Sequence, residues 1–171
     1  MDTVVLALLS ILPALAIVAG LKDLTSMTIP NWISGLLVLA FFPAAWAAGL
    51  EPMAVAAHMG VAFAALLVGM GFFALNWIGG GDAKLMAASC LWLGVSGSGM
   101  FLLWTGLFGG VFCLMLIFGR FYFRPYLSGA PGWFAHLMEP KGDIPYGVAI
   151  AAGALMAFPS SALVQAFAGG A

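Results

Sequence analysis

Six residues of the 171-residue chain carry a carboxylate: Asp2, Asp23, Glu51, Asp82, Glu139 and Asp143. Two of them stand where apolar sequence breaks. Asp23 closes the first hydrophobic run and leads into the polar connection Leu24-Thr25-Ser26-Met27-Thr28-Ile29-Pro30-Asn31, and Asp82 ends a glycine run in Trp77-Ile78-Gly79-Gly80-Gly81-Asp82-Ala83-Lys84-Leu85. Glycines let the backbone turn tightly and admit another chain close to the acid. Two carboxylates brought together can share one proton. The ionised one then acts as general base on a bridging water while the protonated one donates to a scissile carbonyl, and mutual repulsion separates their titrations. Such a dyad titrates as a unit, so neither residue is assigned the proton. Taken singly, each acid reads about as well as a structural feature: Asp23 as an interfacial cap, Asp82 as an N-cap at the positive end of a helix dipole.

Other apparatus is sparse. Glu139 and Asp143 flank Lys141 in a polar turn and read as solvated loop charges. The sequence has no GxSxG elbow and no HExxH pair. His58 falls early in an apolar segment on its outer side, and His136 sits in an aromatic loop where an interfacial role fits better than catalysis. Cys90 and Cys113 belong to no CxxC pair and lie inside apolar runs, so they read as small core residues rather than a disulfide or zinc site. No metal or cofactor is expected. A net charge of −1 and the lack of a basic run argue against nucleic acid as a partner.

The elements that must position these acids are membrane helices. The chain is 64% hydrophobic and 6% charged, far from globular composition. The expectation is an all-α, polytopic membrane protein forming a single domain over 1–171. Six apolar segments are predicted at about 4–21, 31–50, 54–76, 83–96, 98–119 and 144–168. The fourth is short, and Asp82 stands at its N-terminal end. The first run opens Met1-Asp2 with no basic n-region, so it reads as a retained helix rather than a signal peptide. With the N-terminus outside, the turns after the first, third and fifth segments hold Lys22, Lys84, Arg120, Arg124 and Lys141, all five basic residues, and the turns at Glu51-Pro52 and Ser96-Gly97-Ser98 hold none. The positive-inside rule therefore gives six spans with N-out and C-out ends and places Asp23 and Asp82 at the same cytoplasmic boundary. Gly147 and Ala151, and Ala149 and Gly153, stand at the four-residue spacing that lets helices pack closely in lipid. Pro13, Pro145 and Pro159 are expected to kink their helices, and 120–141 to form an interfacial loop or a short surface helix.

The set Asp23, Ile29-Pro30-Asn31, Gly79-Gly80-Gly81-Asp82-Ala83-Lys84-Leu85 and Ile144-Pro145-Tyr146-Gly147-Val148-Ala149 resembles the type IV prepilin peptidases, GxGD aspartic proteases of the membrane, in order and spacing over nearly the whole chain. The resemblance implies an endopeptidase of the cell inner membrane that cuts a short basic leader from prepilins or pseudopilins at the cytoplasmic face, after a glycine and before a hydrophobic helix. It implies Asp23 and Asp82 as the catalytic acids, Gly79 and Gly81 as the motif glycines and Lys84 as the basic residue after the motif aspartate. Larger members carry a cytoplasmic region with paired CxxC motifs, associated with N-methylation. This chain shows no such motif and looks like the short branch serving Flp or tight-adherence pili, which puts methyltransferase activity in doubt. The PAL motif of presenilin-like relatives is absent. Two readings from other classes compete. A small transporter would place its acids near the bilayer midplane, and a non-catalytic assembly subunit leaves the glycine–aspartate motif unexplained.

Overall fold

The computed structural model describes residues 2–123, 129–140 and 142–169, and all regular structure among them is helical. In chain order the helices are α1 (Asp2–Leu9), α2 (Ile11–Ser26), α3 (Asn31–Ala47), α4 (Pro52–Ala74), α5 (Gly80–Phe123), α6 (Gly132–Leu137), α7 (Tyr146–Ala157) and α8 (Ala162–Gly169). Four stretches are long and apolar enough to cross a membrane: Thr3–Ser26, Pro52–Ala74, Gly80–Phe123 and Tyr146–Gly169. The apolar α3, at 17 residues, is shorter. Large apolar side chains cover the exterior, Trp46 at 87% exposure and Phe121 at 78% among them. In hydrocarbon such a surface needs no shielding, whereas in water a patch of this extent would drive aggregation. The protein is an α-helical membrane protein.

The boundaries differ from expectation in instructive places. The first segment is interrupted at Ser10, one turn before Pro13, because proline has no N–H to donate back along the helix. Pro145 kinks nothing: it is the N-cap of α7, with φ −72° and ψ 91°. Pro159 lies in the 3₁₀ turn Phe158–Ser160 that divides α7 from α8. The break expected at Ser96-Gly97-Ser98 is instead a single hinge residue, Gly94, with φ 66° and ψ −168° inside α5. A straight 44-residue helix would run about 66 Å. Yet Tyr146 lines a cleft with Asp82 at one end of α5 and approaches Cys113 Sγ at 3.9 Å toward the other. The two arms of α5 therefore double back on each other at Gly94.

The hinge is patched from neighbouring elements. His58 of α4, buried against Gly94, shares a 2.7 Å hydrogen bond with the Leu91 carbonyl through Nδ1, and the Ser98 hydroxyl donates to the Gly94 carbonyl at 2.6 Å. A carbonyl accepts, so Nδ1 is the protonated ring nitrogen of His58. Its ring stacks on Phe41 at 5.5 Å, and Phe41 meets Trp92 edge-on. Trp92, fully buried, gives its indole N–H to the Leu37 carbonyl at 2.8 Å, tying the first arm of α5 to α3.

Between membrane helices close packing replaces hydrophobic burial as the cohesive force, so small residues matter. The two four-residue stripes on α7 face different partners. On one side, a Cβ on Gly20 of α2 would stand 3.0 Å from Ala151 Cβ, and Gly147 lies against Asp23. On the other, Ala149 meets Gly109, and a Cβ on Gly153 would overlap Thr105, both on the second arm of α5. Helix α7 is thus the wedge between α2 and α5.

Candidate functional site

Asp23 belongs to the buried stripe Leu12, Ala16, Ala19, Gly20 and Asp23, which follows helical spacing along α2. It sits in the helix's final turns. The helix ends just beyond, at Met27, whose left-handed backbone (φ 51°) returns its N–H to the Asp23 carbonyl at 2.9 Å. Thr28 to Pro30 then runs non-helical into α3.

Asp82 is not the N-cap that its sequence suggested. Helix α5 begins at Gly80, so Asp82 is the third residue of its first turn and reaches back to the N–H of Gly79 through Oδ2 at 3.0 Å. This is the returning half of a capping box. The glycines at positions 79 and 81 sit in close quarters. A Cβ at residue 79 would stand 3.0 Å from Asp82 Oδ2, and one at residue 81 would stand 3.0 Å from Ile29 Cβ and 3.3 Å from its carbonyl oxygen. Gly80 has more room, with the Phe73 ring at 3.5 Å. Lys84 projects elsewhere: its Nζ donates to Asn31 Oδ1 at 2.9 Å, linking the glycine motif to the head of α3.

The two acids line one cleft. It has a volume of about 280 Å³ and is walled by Asp23, Met27, Trp77, Gly79, Asp82 and the segment from Asp143 to Tyr146. An adjoining recess of about 250 Å³ runs under Thr28, Ile29 and Gly79–Gly81 and shares Asp23 and Asp82. Both side chains are buried, Asp23 at 5% exposure and Asp82 at 8%. Asp23 Oδ2 accepts the N–H of Gly147 at 2.7 Å. Gly147 is in the first turn of α7, where amides have no partner within the helix. Two helix N-termini, those of α5 and α7, therefore present a main-chain N–H to each carboxylate, and both suit negative charge. One oxygen of each acid is thus fixed by a main-chain amide. Among the described residues Asp82 Oδ1, also buried, has no hydrogen-bond partner.

In the sequence Gly147 reads as a packing residue and as part of the Ile144–Ala149 motif, neither of which points to its amide beside Asp23. A Cβ there would come within 2.8 Å of Asp23 Oδ2 and 2.7 Å of Ile29 Cδ1. The available signal was Pro145 two residues earlier, which marks a helix start and hence unpaired amides. Asp143, expected as a solvated loop charge, lies exposed on the rim of the cleft. Glu139 does not line the cleft and makes a 3.1 Å pair with His136, on and just after α6. Cys90 is buried, and among the described residues no group of His, Cys, Asp and Glu could hold a metal ion. Lys22, Lys84 and Arg120 all lie at the end of the bundle that carries the cleft, beside Asp23, Asp82 and Asp143 respectively. Arg124 and Lys141, counted with them on charge, lie outside the described residues.

Residues 10–114 match the model of a family described as the type IV leader peptidase family. No curated protein and no solved structure matches the chain. The matched span holds Asp23, the glycine run, Asp82 and Lys84, and ends before the loop and the α7 amide that complete the cleft.

Proposed function

This chain belongs to the type IV leader peptidase family, and we propose that it is an aspartic endopeptidase whose catalytic pair is Asp23 and Asp82. The observation that carries the proposal is the shared cleft, in which each buried carboxylate has one oxygen held by a main-chain amide. Fixing one oxygen orients the other without occupying it. A water between the two acids loses a proton to the ionised carboxylate as its oxygen attacks the scissile carbonyl carbon. The protonated carboxyl gives its proton to the carbonyl oxygen, and a tetrahedral diol forms. Collapse of the diol breaks the C–N bond, with a proton returned to the leaving amine. Products are a new carboxyl terminus on the leader and a new amino terminus on the remainder. Gly79 and Gly81 serve this by allowing Asp82 and Ile29 to close on the turn, and Lys84 serves it by bracing that turn against Asn31.

The substrate in this reading is a prepilin or pseudopilin of the Flp type, cut after a glycine at the cytoplasmic face of the inner membrane. The supporting arrangement is the placing of the basic residues: Lys22, Lys84 and Arg120 all lie at the end of the bundle that carries the cleft, the pattern the positive-inside rule associates with a cytoplasmic end. The six-span, N-out and C-out topology follows if α3 and the two arms of α5 each cross the bilayer. The test is co-expression with a prepilin. Asp23→Asn and Asp82→Asn should each abolish conversion to the shorter form while the membrane protein's abundance stays unchanged. Normal processing by either variant would remove that residue from the mechanism, and processing by the double variant would favour a non-catalytic role in assembly.

A further inference from the structure

The charge of Arg120 suggests only a topological part, but each of its three guanidinium nitrogens donates a hydrogen bond. The side chain leaves the second arm of α5 near that helix's C-terminus and donates to three main-chain carbonyls, one at the end of α6 and two beyond it. Nε reaches the Leu137 oxygen at 2.9 Å, Nη1 the Gly142 oxygen at 2.9 Å and Nη2 the Asp143 oxygen at 2.7 Å. Leu137 is the last residue of α6, and Gly142 and Asp143 lie in the non-helical stretch before α7. Gly142 leaves room for the guanidinium, since a Cβ there would stand 3.3 Å from Nη2. A planar fork of fixed donors can hold several carbonyls at once, which an ammonium on a flexible stem cannot reproduce.

The clamped segment leads directly into the cleft. Asp143, Ile144, Pro145 and Tyr146 form one of its walls, and the next residue, Gly147, supplies the N–H that holds Asp23. Three residues, Ile144 to Tyr146, separate the carbonyl held by Nη2 from that N–H, and Pro145 stiffens the interval. We propose that Arg120 is a positioning residue of the peptidase: through the carbonyls of Leu137, Gly142 and Asp143 it sets the height of the α7 N-terminus against Asp23 and so fixes that carboxylate for catalysis. The inference rests on reading Asp23 as a catalytic acid. Misplacing a catalytic group by about 1 Å can lower a rate on the order of a hundredfold, and Arg120 acts on Asp23 through a short, stiff lever.

The experiment compares the full-length wild-type protein with Arg120→Gln and Arg120→Lys in detergent. The probe is a synthetic peptide with a basic leader, a glycine junction and an apolar helix, and Asp23→Asn and Asp82→Asn serve as reference variants. Both Arg120 variants should lower kcat by about 10- to 100-fold with a much smaller change in KM, and should displace the pH profile of kcat. Hydrogen exchange of the peptide covering 142–148 should quicken. Wild-type kcat and pH profile in the Arg120 variants, while the aspartate variants are inactive, would overturn the inference alone. Activity in the aspartate variants would instead overturn the peptidase reading of the site. If Arg120→Gln does not accumulate, Arg120→Lys, which keeps the charge, decides by the same readings.

Discussion

Two carboxylates are held in this protein by main-chain amides, and substitution at those amides tests the geometry without removing an acid. Gly147→Ala puts a Cβ 2.8 Å from Asp23 Oδ2. It should reduce peptide cleavage by at least about tenfold, with a smaller effect on thermal unfolding, as separate kcat and Tm measurements would show. A pair sharing one proton also dictates the form of the pH dependence. Acid protonates the base and alkali deprotonates the acid, so kcat should fall on both sides of a maximum. A rate that rises to a plateau and stays there would argue against proton sharing. Glu139→Gln and Asp143→Asn should retain most of the processing activity, since Glu139 pairs with His136 outside the cleft and Asp143 is only at its rim. That Asp23 and Asp82 stand at breaks in apolar sequence, Asp82 after a glycine run, is legible in the sequence. Their partners are not, because every non-proline residue carries the same N–H and only the fold selects which one points at an acid.

The elements were legible to different degrees for the same kind of reason. Hydropathy located the helices, since backbone groups in hydrocarbon must be paired internally, but it could not place the reversal within Gly94-Val95-Ser96-Gly97-Ser98-Gly99. The sequence reading chose the serines, whereas the structure turns at the one position whose neighbours supply hydrogen bonds to the opened backbone. Gly94 has φ 66°, and a Cβ would lie 2.6 Å from the His58 ring. Gly94→Ala should therefore cost on the order of 1–3 kcal/mol in backbone strain, further lowered stability coming from displacement of His58. The measurement is a thermal melt in detergent. The equivalent change at Gly99, where a Cβ meets nothing within 4 Å, should leave the melt nearly unchanged. Pro145 was misjudged for a related reason: the residue type announces an interruption but not whether a helix bends or begins there.

On the scale of the whole molecule, the charge asymmetry predicts how the bundle sits in its membrane. In a background with Cys90 and Cys113 replaced by serine, a cysteine at Glu51 should react with an impermeant thiol reagent in intact cells. A cysteine at Thr25, near the cleft, should react only after permeabilisation. Both positions are exposed. The opposite pattern would invert the topology. The close approaches along α7 predict a second outcome: Gly153→Leu, which must push Thr105 away, should separate α7 from α5 and lower both stability and cleavage. The hinge at Gly94 also bears on biogenesis. Its opened backbone is met by His58, which precedes it in the chain, and by Ser98, which follows within about one turn. During synthesis the histidine is already within α4 when α5 emerges, so the reversal can close as soon as its own next turn is made, before α7 exists.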